Sequence, residues 1–242
     1  MAINAAILEM ITKLIERTGR PCRIASLGYP DMLVTEAQIA SLCGPGALPK
    51  IQFRDDSDGI ARWHRIDGQV TRIAESLSLF QALGAELHCF DISASRGFEI
   101  VADLNYPLPS GTTGQYDVVY DGGTMEHCFN VPQVIANILT LCRIDGYIVH
   151  VNPLNYFNHG FYSFHPTFYY DFYTQSGNEL VAPIYALHGP VLDTKAVELP
   201  ATQGFRALHE RSAVLVAARK RRDYGGEWPM QSKYRANAAL RA

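Results

Sequence analysis

A strand, a helix and a second strand between residues 116 and 151 most constrain the fold of this chain. Tyr116–Asp121 and Tyr147–Val151 are short apolar runs that predict buried strands. Between them, Val131–Arg143 has helical periodicity behind Asn130, a residue that favours the cap position. A strand–helix–strand unit with short connections predicts parallel strands and a right-handed crossover. The sequence therefore predicts an α/β fold built on a mostly parallel sheet.

The other predicted elements continue this alternation of helices and short apolar strands. Apolar periodicity and the positions of glycine and proline set their bounds. Helices are predicted at 3–17, 36–42 and 69–83, strands at 22–28, 86–91, 98–102 and 212–218, and a loop at 47–68. No repeat or low-complexity linker interrupts the chain, so one domain is predicted over residues 1–242.

Composition and charge argue against several classes of protein. The net charge of −3 argues against a surface devoted to nucleic acid. No apolar run approaches the ~20 residues that span a bilayer. The five cysteines show no C-x-x-C spacing, so free thiols and a cytoplasmic location are predicted. From Lys220 onward, six basic residues against two acidic ones predict a solvated basic tail.

Polar residues follow four of the predicted strands. In a doubly wound sheet, ligands bind outside the carboxyl ends of the strands. Carboxylates there can accept hydrogen bonds from a ribose or an adenine amino group, and glycines let the backbone approach a ligand. One aspartate after a strand is common in turns, but the recurrence predicts a ligand site. These residues are Gly28-Tyr29-Pro30-Asp31, Asp91, Asp103-Leu104-Asn105 and Asp121-Gly122-Gly123-Thr124.

The same region resembles class I S-adenosylmethionine-dependent methyltransferases. The resemblance rests on Asp103–Pro109 and on Tyr116–His127, which is similar to the family pattern FDxVxxxxxxEH. Leu141–Tyr147 is similar to the family's L-k-pGG turn before the fifth strand. The resemblance implies S-adenosylmethionine as cofactor. It also implies a three-layer Rossmann-like sandwich, with a mostly parallel seven-stranded sheet and helices on both faces.

The resemblance assigns residues to the cofactor and divides the chain. Gly28 would lie under the methionine part, Asp91 would hold the ribose, and Asp103 with its neighbour Leu104 would contact the adenine. The full set is Gly28, Asp31, Asp91, Asp103, Leu104, Asp121 and Gly122. Residues 22–153 would form the cofactor-binding core, 154–219 the acceptor-side segment and 220–242 the basic tail.

The catalytic candidates are Glu126 and His127, in the stretch that would line the cleft. An imidazole titrates near neutrality, so His127 could take a proton from an acceptor hydroxyl. Alternatively, His127 caps a loop or orients Glu126. In the aromatic segment after the fifth strand, His159, Tyr162 and His165 are candidates for binding the acceptor, unless that segment is core packing. The implied reaction is O-methylation of a small-molecule or glycan-type acceptor.

No metal site is predicted from the sequence. His150, His159 and His165 match no zinc spacing, and His150 falls within a predicted strand. A homodimer is compatible with the sequence, which does not fix the oligomeric state.

Two competing functions come from the loop that follows the first predicted strand. The family's E-x-G-x-G-x-G loop is reduced here to Ser26–Asp31 with one glycine. This departure favours a non-catalytic binding module or partner subunit, in which Tyr29 or Pro30 blocks the methionine end. An NAD-linked oxidoreductase would need G-x-G-x-x-G, which Gly28-Tyr29-Pro30 does not supply.

Overall fold

A computed structural model describes residues 2–19, 21–109 and 111–235. Strands and helices alternate along most of this part of the chain. The strands are β1 (Ala2–Asn4), β2 (Cys22–Leu27), β3 (Asp31–Leu33), β4 (Ala85–Asp91), β5 (Ile100–Val101), β6 (Tyr116–Asp121), β7 (Cys142–Pro153), β8 (Glu179–Leu180), β9 (Tyr185–His188), β10 (Lys195–Glu198) and β11 (Ala213–Arg219). The helices are α1 (Ala5–Thr18), α2 (Glu36–Cys43), α3 (Ser57–Trp63), α4 (Ser76–Ala82), α5 (Val131–Leu141), α6 (Pro166–Gln175) and α7 (Ser232–Arg235).

Nine of these strands form one twisted sheet in the order β10-β9-β11-β7-β6-β2-β4-β5, with β8 paired to β11. Strands β5, β4, β2, β6 and β7 are parallel, and β11 is antiparallel to β7. The predicted fold class is confirmed, although β8 and β10 extend the sheet beyond the seven predicted strands. From β2, the chain adds β4 and β5 on one side of the sheet and then β6 and β7 on the other, so the strand order reverses between β2 and β6. The crevice for a ligand therefore lies outside the carboxyl ends of these two strands.

Two apolar cores lie on opposite faces of the sheet. Side chains alternate between the faces of a strand, so Ala25 and Leu27 join one core while Ile24 joins the other. Helices α5 and α6 cover the first core, and α1 with α4 covers the second. The helices on both faces match the predicted three-layer architecture.

Helix boundaries follow local capping. The Asn130 side chain accepts a hydrogen bond from the Gln133 backbone N at the start of α5, as predicted for a cap. Thr35 and Gln38 form a reciprocal capping box at the start of α2. Helix α4 begins at Ser76 rather than at the predicted residue 69, because the Glu75 carboxylate accepts hydrogen bonds from the first turn of the helix.

Three further predictions differ from the structure. The predicted loop over 47–68 contains the helix α3, which packs Ile60 and Ala61 into a small third core. The predicted buried strand at 98–102 is the two-residue edge strand β5, and its side chains are exposed. The predicted turn at Asp145 lies within β7, where Asp145 has a φ of 62°.

The basic tail predicted over 220–242 begins inside the fold. Lys220 is 1% exposed, and its ammonium group donates to the carbonyl oxygens of Leu139 and Cys142 at 2.7 and 2.9 Å. These carbonyls lie at the end of α5, where helical partners run out. The last part of the predicted tail, residues 236–242, lies outside the described residues. No helix in the described part of the chain is long and apolar enough to cross a membrane.

Candidate functional site

A hydrogen bond links the loops that follow β2 and β6, at the place where the strand order of the sheet reverses. The Thr124 hydroxyl donates to the Leu27 carbonyl oxygen at 2.5 Å. Gly28 follows with a φ of 86°, a conformation that favours glycine, and its N–H donates to Phe90 O at 2.6 Å. These contacts bring the ends of β2, β4 and β6 together. Gly122 lies in the same region, and a Cβ there would overlap the Tyr120 ring.

Two of the predicted cofactor carboxylates lie on the β4–β5 side of this crevice. Asp91 is half-buried at the end of β4, where its Oδ1 accepts from Ser93 N at 3.1 Å. Asp103 is exposed, and its Oδ1 accepts from the backbone and side chain of Asn105. In each carboxylate these contacts use one oxygen, so the other can accept from a ligand. Leu104 is buried and contributes packing.

Asp31 has a different environment from the one expected for a cofactor ligand. It lies in β3, where its carboxylate contacts Arg54 Nη1 and His64 Nε2, each at 3.1 Å. The guanidinium of Arg96 is 4.0 Å away. These partners compensate the Asp31 charge, so the carboxylate is engaged within the protein rather than free to bind a cationic group.

Tyr29, at the same end of the crevice, is also held in place. Its hydroxyl donates to Glu75 Oε1 at 2.5 Å, and Arg96 lies over its ring at 4.1 Å from the centroid. Burial, with the neighbouring Glu75, raises the pKa of Tyr29 to about 12. The loop that would receive the methionine end is thus packed against the residues between β3 and β5.

A buried polar network lies beneath the β6 side of the crevice. Asp121 is fully buried; its Oδ1 accepts from the backbone N–H groups of Thr124 and Met125 at 3.2 and 3.1 Å. Its Oδ2 accepts from Asn152 Nδ2 at 3.0 Å and lies 3.0 Å from His150 Nδ1. Four donors therefore satisfy this carboxylate, so Asp121 organises the loop after β6 from below.

His150 and Asn152 connect this network to helix α6. The Tyr173 hydroxyl contacts His150 Nε2 at 2.6 Å, and the Tyr169 hydroxyl donates to Asn152 Oδ1 at 2.6 Å. A carboxylate can only accept, so His150 Nδ1 donates to Asp121, and in the neutral imidazole Nε2 then accepts from the Tyr173 hydroxyl. The sequence shows Tyr169 and Tyr173 only as members of an aromatic segment and predicts no role for them. Their positions four residues apart give them one face of α6.

Glu126 is a buried carboxylate at the cleft, with fewer donors than Asp121. It is 1% exposed, and Asn152 Nδ2 donates to its Oε2 at 3.0 Å. Its Oε1 lies 3.8 Å from His159 Nε2, beyond hydrogen-bonding distance. Burial, with the nearby Asp121 carboxylate, raises the pKa of Glu126 to about 7.

The exposed imidazoles of His127 and His159 lie beside Glu126. The rings of His127 and His159 are 5.1 Å apart between centroids. Burial lowers the pKa of both histidines, and the proximity of His159 lowers the pKa of His127 further. The ligand atoms of Glu126, His127 and His159 all lie within 4.8 Å of one another. No metal site was predicted from spacing, since His159 is distant from the other two in sequence.

An open cleft of about 500 Å³ adjoins this group. His159 belongs to both, while the predicted acceptor residues Tyr162 and His165 lie elsewhere. The Tyr162 hydroxyl donates to Phe129 O at 3.0 Å, and His165 is exposed just before α6. The cleft is lined by Asn155, Tyr156, Phe157, Asn158, His159, Glu210 and Arg211. Glu210 and Arg211 come from a second loop, and no sequence pattern pointed to them.

The chain is similar to several solved methyltransferases at low sequence identity. An S-adenosylmethionine-dependent methyltransferase from Archaeoglobus fulgidus is 13% identical, with a TM-score of 0.47 over 88% of this chain and 94% of that one. The Burkholderia thailandensis 1,6-didemethyltoxoflavin-N1-methyltransferase, solved with S-adenosylhomocysteine, is 14% identical, with a TM-score of 0.43 over 89% of this chain and 77% of that one.

A partial match is to the citrinin polyketide synthase CMeT domain, 15% identical with a TM-score of 0.37 over 63% of this chain. This chain covers 35% of the length of that structure, and it covers less than half of the length of a second solved methyltransferase. No family model and no curated protein matches the sequence.

We expect Gly160→Ala to displace Glu126 without unfolding the protein. A Cβ at Gly160 would lie 2.8 Å from Glu126 O and 3.0 Å from Glu126 Cγ, closer than ordinary packing allows. A drop of about 1–3 kcal/mol in the free energy of unfolding is expected in a urea titration. Gly204→Ala is the control, because open space surrounds that position; equal effects of the two substitutions would contradict the prediction.

Proposed function

We propose that this protein is an S-adenosylmethionine-dependent methyltransferase that methylates an oxygen of a small-molecule or glycan-type acceptor. The observation that carries the proposal is the crevice between β2 and β6. Free carboxylate oxygens lie on its β4–β5 side, and Glu126 and His127 lie beside an open cleft on its β7 side. The sequence resemblance across residues 103–152 supports the same assignment.

The residues present fit the adenosine half of the cofactor. Asp91 and Asp103 would hold the ribose hydroxyls and the adenine amino group, and Leu104 would pack nearby. At the other end, Gly28 would allow close approach of the backbone because of its positive φ. When bound, S-adenosylmethionine supplies an activated methyl group on a positively charged sulfur. Asp31 is left out of this set because Arg54 and His64 engage it.

The chain's own contribution to the chemistry is to position the acceptor and to manage its proton. An acceptor in the cleft beside His159 would place a hydroxyl near His127. The lowered pKa of His127 keeps its imidazole neutral near pH 7, so a ring nitrogen can accept that proton. Asn152 donates to Glu126 and thereby fixes the carboxylate beside the two imidazoles that adjoin the cleft. Orientation of this kind supplies much of the rate in transfer reactions.

Calorimetric titration with S-adenosylmethionine and S-adenosylhomocysteine tests the cofactor assignment. We expect both to bind, and we expect Asp91→Ala to weaken binding by about tenfold or more, because a charged hydrogen bond is lost. Asp58→Ala is the matched control, since Asp58 is exposed on α3 and is not among the strand-end residues assigned to the cofactor. If neither compound releases heat or raises Tm, the proposal fails.

The competing function is a methyltransferase-fold binding module or partner subunit without catalysis. The packing of Tyr29 against Glu75 and Arg96 favours it, because it restricts the loop that would receive the methionine end. Tyr29→Ala discriminates between the two functions. If Tyr29 blocks the site, the substitution creates cofactor binding that the wild type lacks. If the wild type already binds the cofactor, Tyr29 does not block the site.

We infer a cytoplasmic location from the cysteines. The five cysteines are odd in number and scattered along the sequence without C-x-x-C spacing, a pattern typical of reduced thiols in a reducing compartment. The homodimer suggested at the level of sequence stays a prediction that sedimentation velocity would test.

A further inference from the structure

The group of three residues that adjoins the cleft at His159 has the donor set of a metal centre. Glu126 offers a carboxylate, and His127 and His159 each offer an imidazole nitrogen. Two histidines and one carboxylate bind catalytic zinc and non-haem iron, and such sites keep positions open for water or substrate. We propose that Glu126, His127 and His159 bind one divalent transition-metal ion beside the cleft.

The distances permit this arrangement with small side-chain movements. Metal–ligand bonds of roughly 2.0–2.2 Å allow two ligand atoms on one ion to lie up to about 4 Å apart. Glu126 Oε1 and His159 Nε2 are 3.8 Å apart, and the whole set of ligand atoms lies within 4.8 Å. Because both imidazoles are exposed, they can rotate toward a common centre without disturbing the core.

The charge balance in the protein also favours a cation here. Asp121 and Glu126 are both buried, and Asn152 Nδ2 donates to both carboxylates. Asp121 is satisfied by two backbone N–H groups and His150 as well. Glu126 Oε1 instead faces the imidazoles. A buried carboxylate is costly unless its charge is compensated, and an ion held by His127 and His159 would compensate it.

Supporting contacts fix the carboxylate as they do in known metal centres, where residues behind the ligands orient them. Asn152 holds Glu126 Oε2 at 3.0 Å, and the buried Tyr169 hydroxyl in turn holds Asn152 Oδ1 at 2.6 Å. The Glu126 backbone carbonyl accepts from Phe161 N at 2.8 Å, which ties the loop carrying His159 to the loop carrying Glu126. The ligands are thus presented by two loops that are bonded to each other.

The position of the ion suggests its role, and this step rests on the proposed function. His159 lines both the ligand group and the cleft, so the open coordination positions would face an acceptor. A bound divalent ion lowers the pKa of a hydroxyl that coordinates it, as it does for water. With the ion bound, the acceptor O–H bond would break with its proton passing to water, and His127 would be a ligand. The proton-accepting role given to His127 under the proposed function would then apply to the protein without the ion.

Cobalt(II) titration of the chelator-treated full-length protein tests the binding, followed by visible absorption and calorimetry. We expect one Co²⁺ per chain, competition by Zn²⁺, and no comparable binding of Mg²⁺, which prefers oxygen ligands. His127→Ala and His159→Ala should each weaken Co²⁺ binding by about tenfold or more. Both side chains are exposed, so circular dichroism should show an unchanged fold.

His88→Ala is the matched control. His88 also lies beside a glutamate, with Nε2 2.8 Å from Glu86 Oε1, but it is outside the group of three. Unchanged Co²⁺ binding in this variant, together with loss in the other two, supports the site. Absence of binding to the wild type, or equal binding in all variants, overturns it. S-adenosylmethionine titration in the presence of chelator reports on the proposed function separately, so the two proposals can fail independently.

Discussion

Replacing Asp121 with alanine is expected to lower the free energy of unfolding by about 3–5 kcal/mol, the largest effect predicted for a single substitution in this protein. Asp121 is fully buried and accepts from two backbone N–H groups, Asn152 and His150. Its removal deprives Met125 N–H, Thr124 N–H and His150 Nδ1 of their acceptor, while Asn152 Nδ2 keeps only Glu126 Oε2. Urea denaturation followed by circular dichroism gives the comparison with wild type.

The partial variant Asp121→Asn separates charge from hydrogen bonding. Its amide oxygen can still accept from Thr124 and Met125, but its NH₂ group would face the donors of His150 and Asn152. We therefore expect an intermediate loss of about 2 kcal/mol. Glu9→Ala serves as control, because Glu9 is exposed and its pair with Lys13 contributes only tenths of a kcal/mol. A loss below about 1 kcal/mol for Asp121→Ala would show that the network is not a stabilising element.

Replacing Lys220 with methionine should lower the free energy of unfolding by about 2–3 kcal/mol. Methionine has a similar length, so the substitution removes the ammonium group without opening a large cavity. The carbonyl oxygens of Leu139 and Cys142 then lose a buried charged donor. Thermal and urea unfolding would both report the change.

Lys195→Met is the matched control for that experiment. Lys195 is exposed and pairs with the exposed Asp193, so its replacement should change stability by less than about 0.5 kcal/mol. Equal stability of the two methionine variants would mean that Lys220 belongs to a solvated tail, as its basic neighbours in sequence had predicted.

The crevice between β2 and β6 shows how much of a candidate site a sequence can predict. The carboxyl ends of parallel strands share one edge of the sheet, so the positions of Asp91, Asp103 and Asp121 relative to the sheet followed from the strand pattern. Which ligand each side chain meets did not follow. Asp31 follows a predicted strand in sequence as Asp91 does, yet it lies in β3, and Arg54 and His64 engage it from the insertion between β2 and β4.

The sequence by itself determined the alternation of strands and helices, the parallel core of the sheet and the cap at Asn130, since periodicity and capping depend on neighbouring residues. Tertiary structure decided that Lys220 is buried, and that His159 meets Glu126 and His127 at one cleft. Such contacts depend on which distant loops the strand order brings together. Local sequence patterns do not identify the residues that Lys220 and His159 contact, because the burial of a side chain and the partner of its charge are fixed only when helices pack on both faces of the sheet.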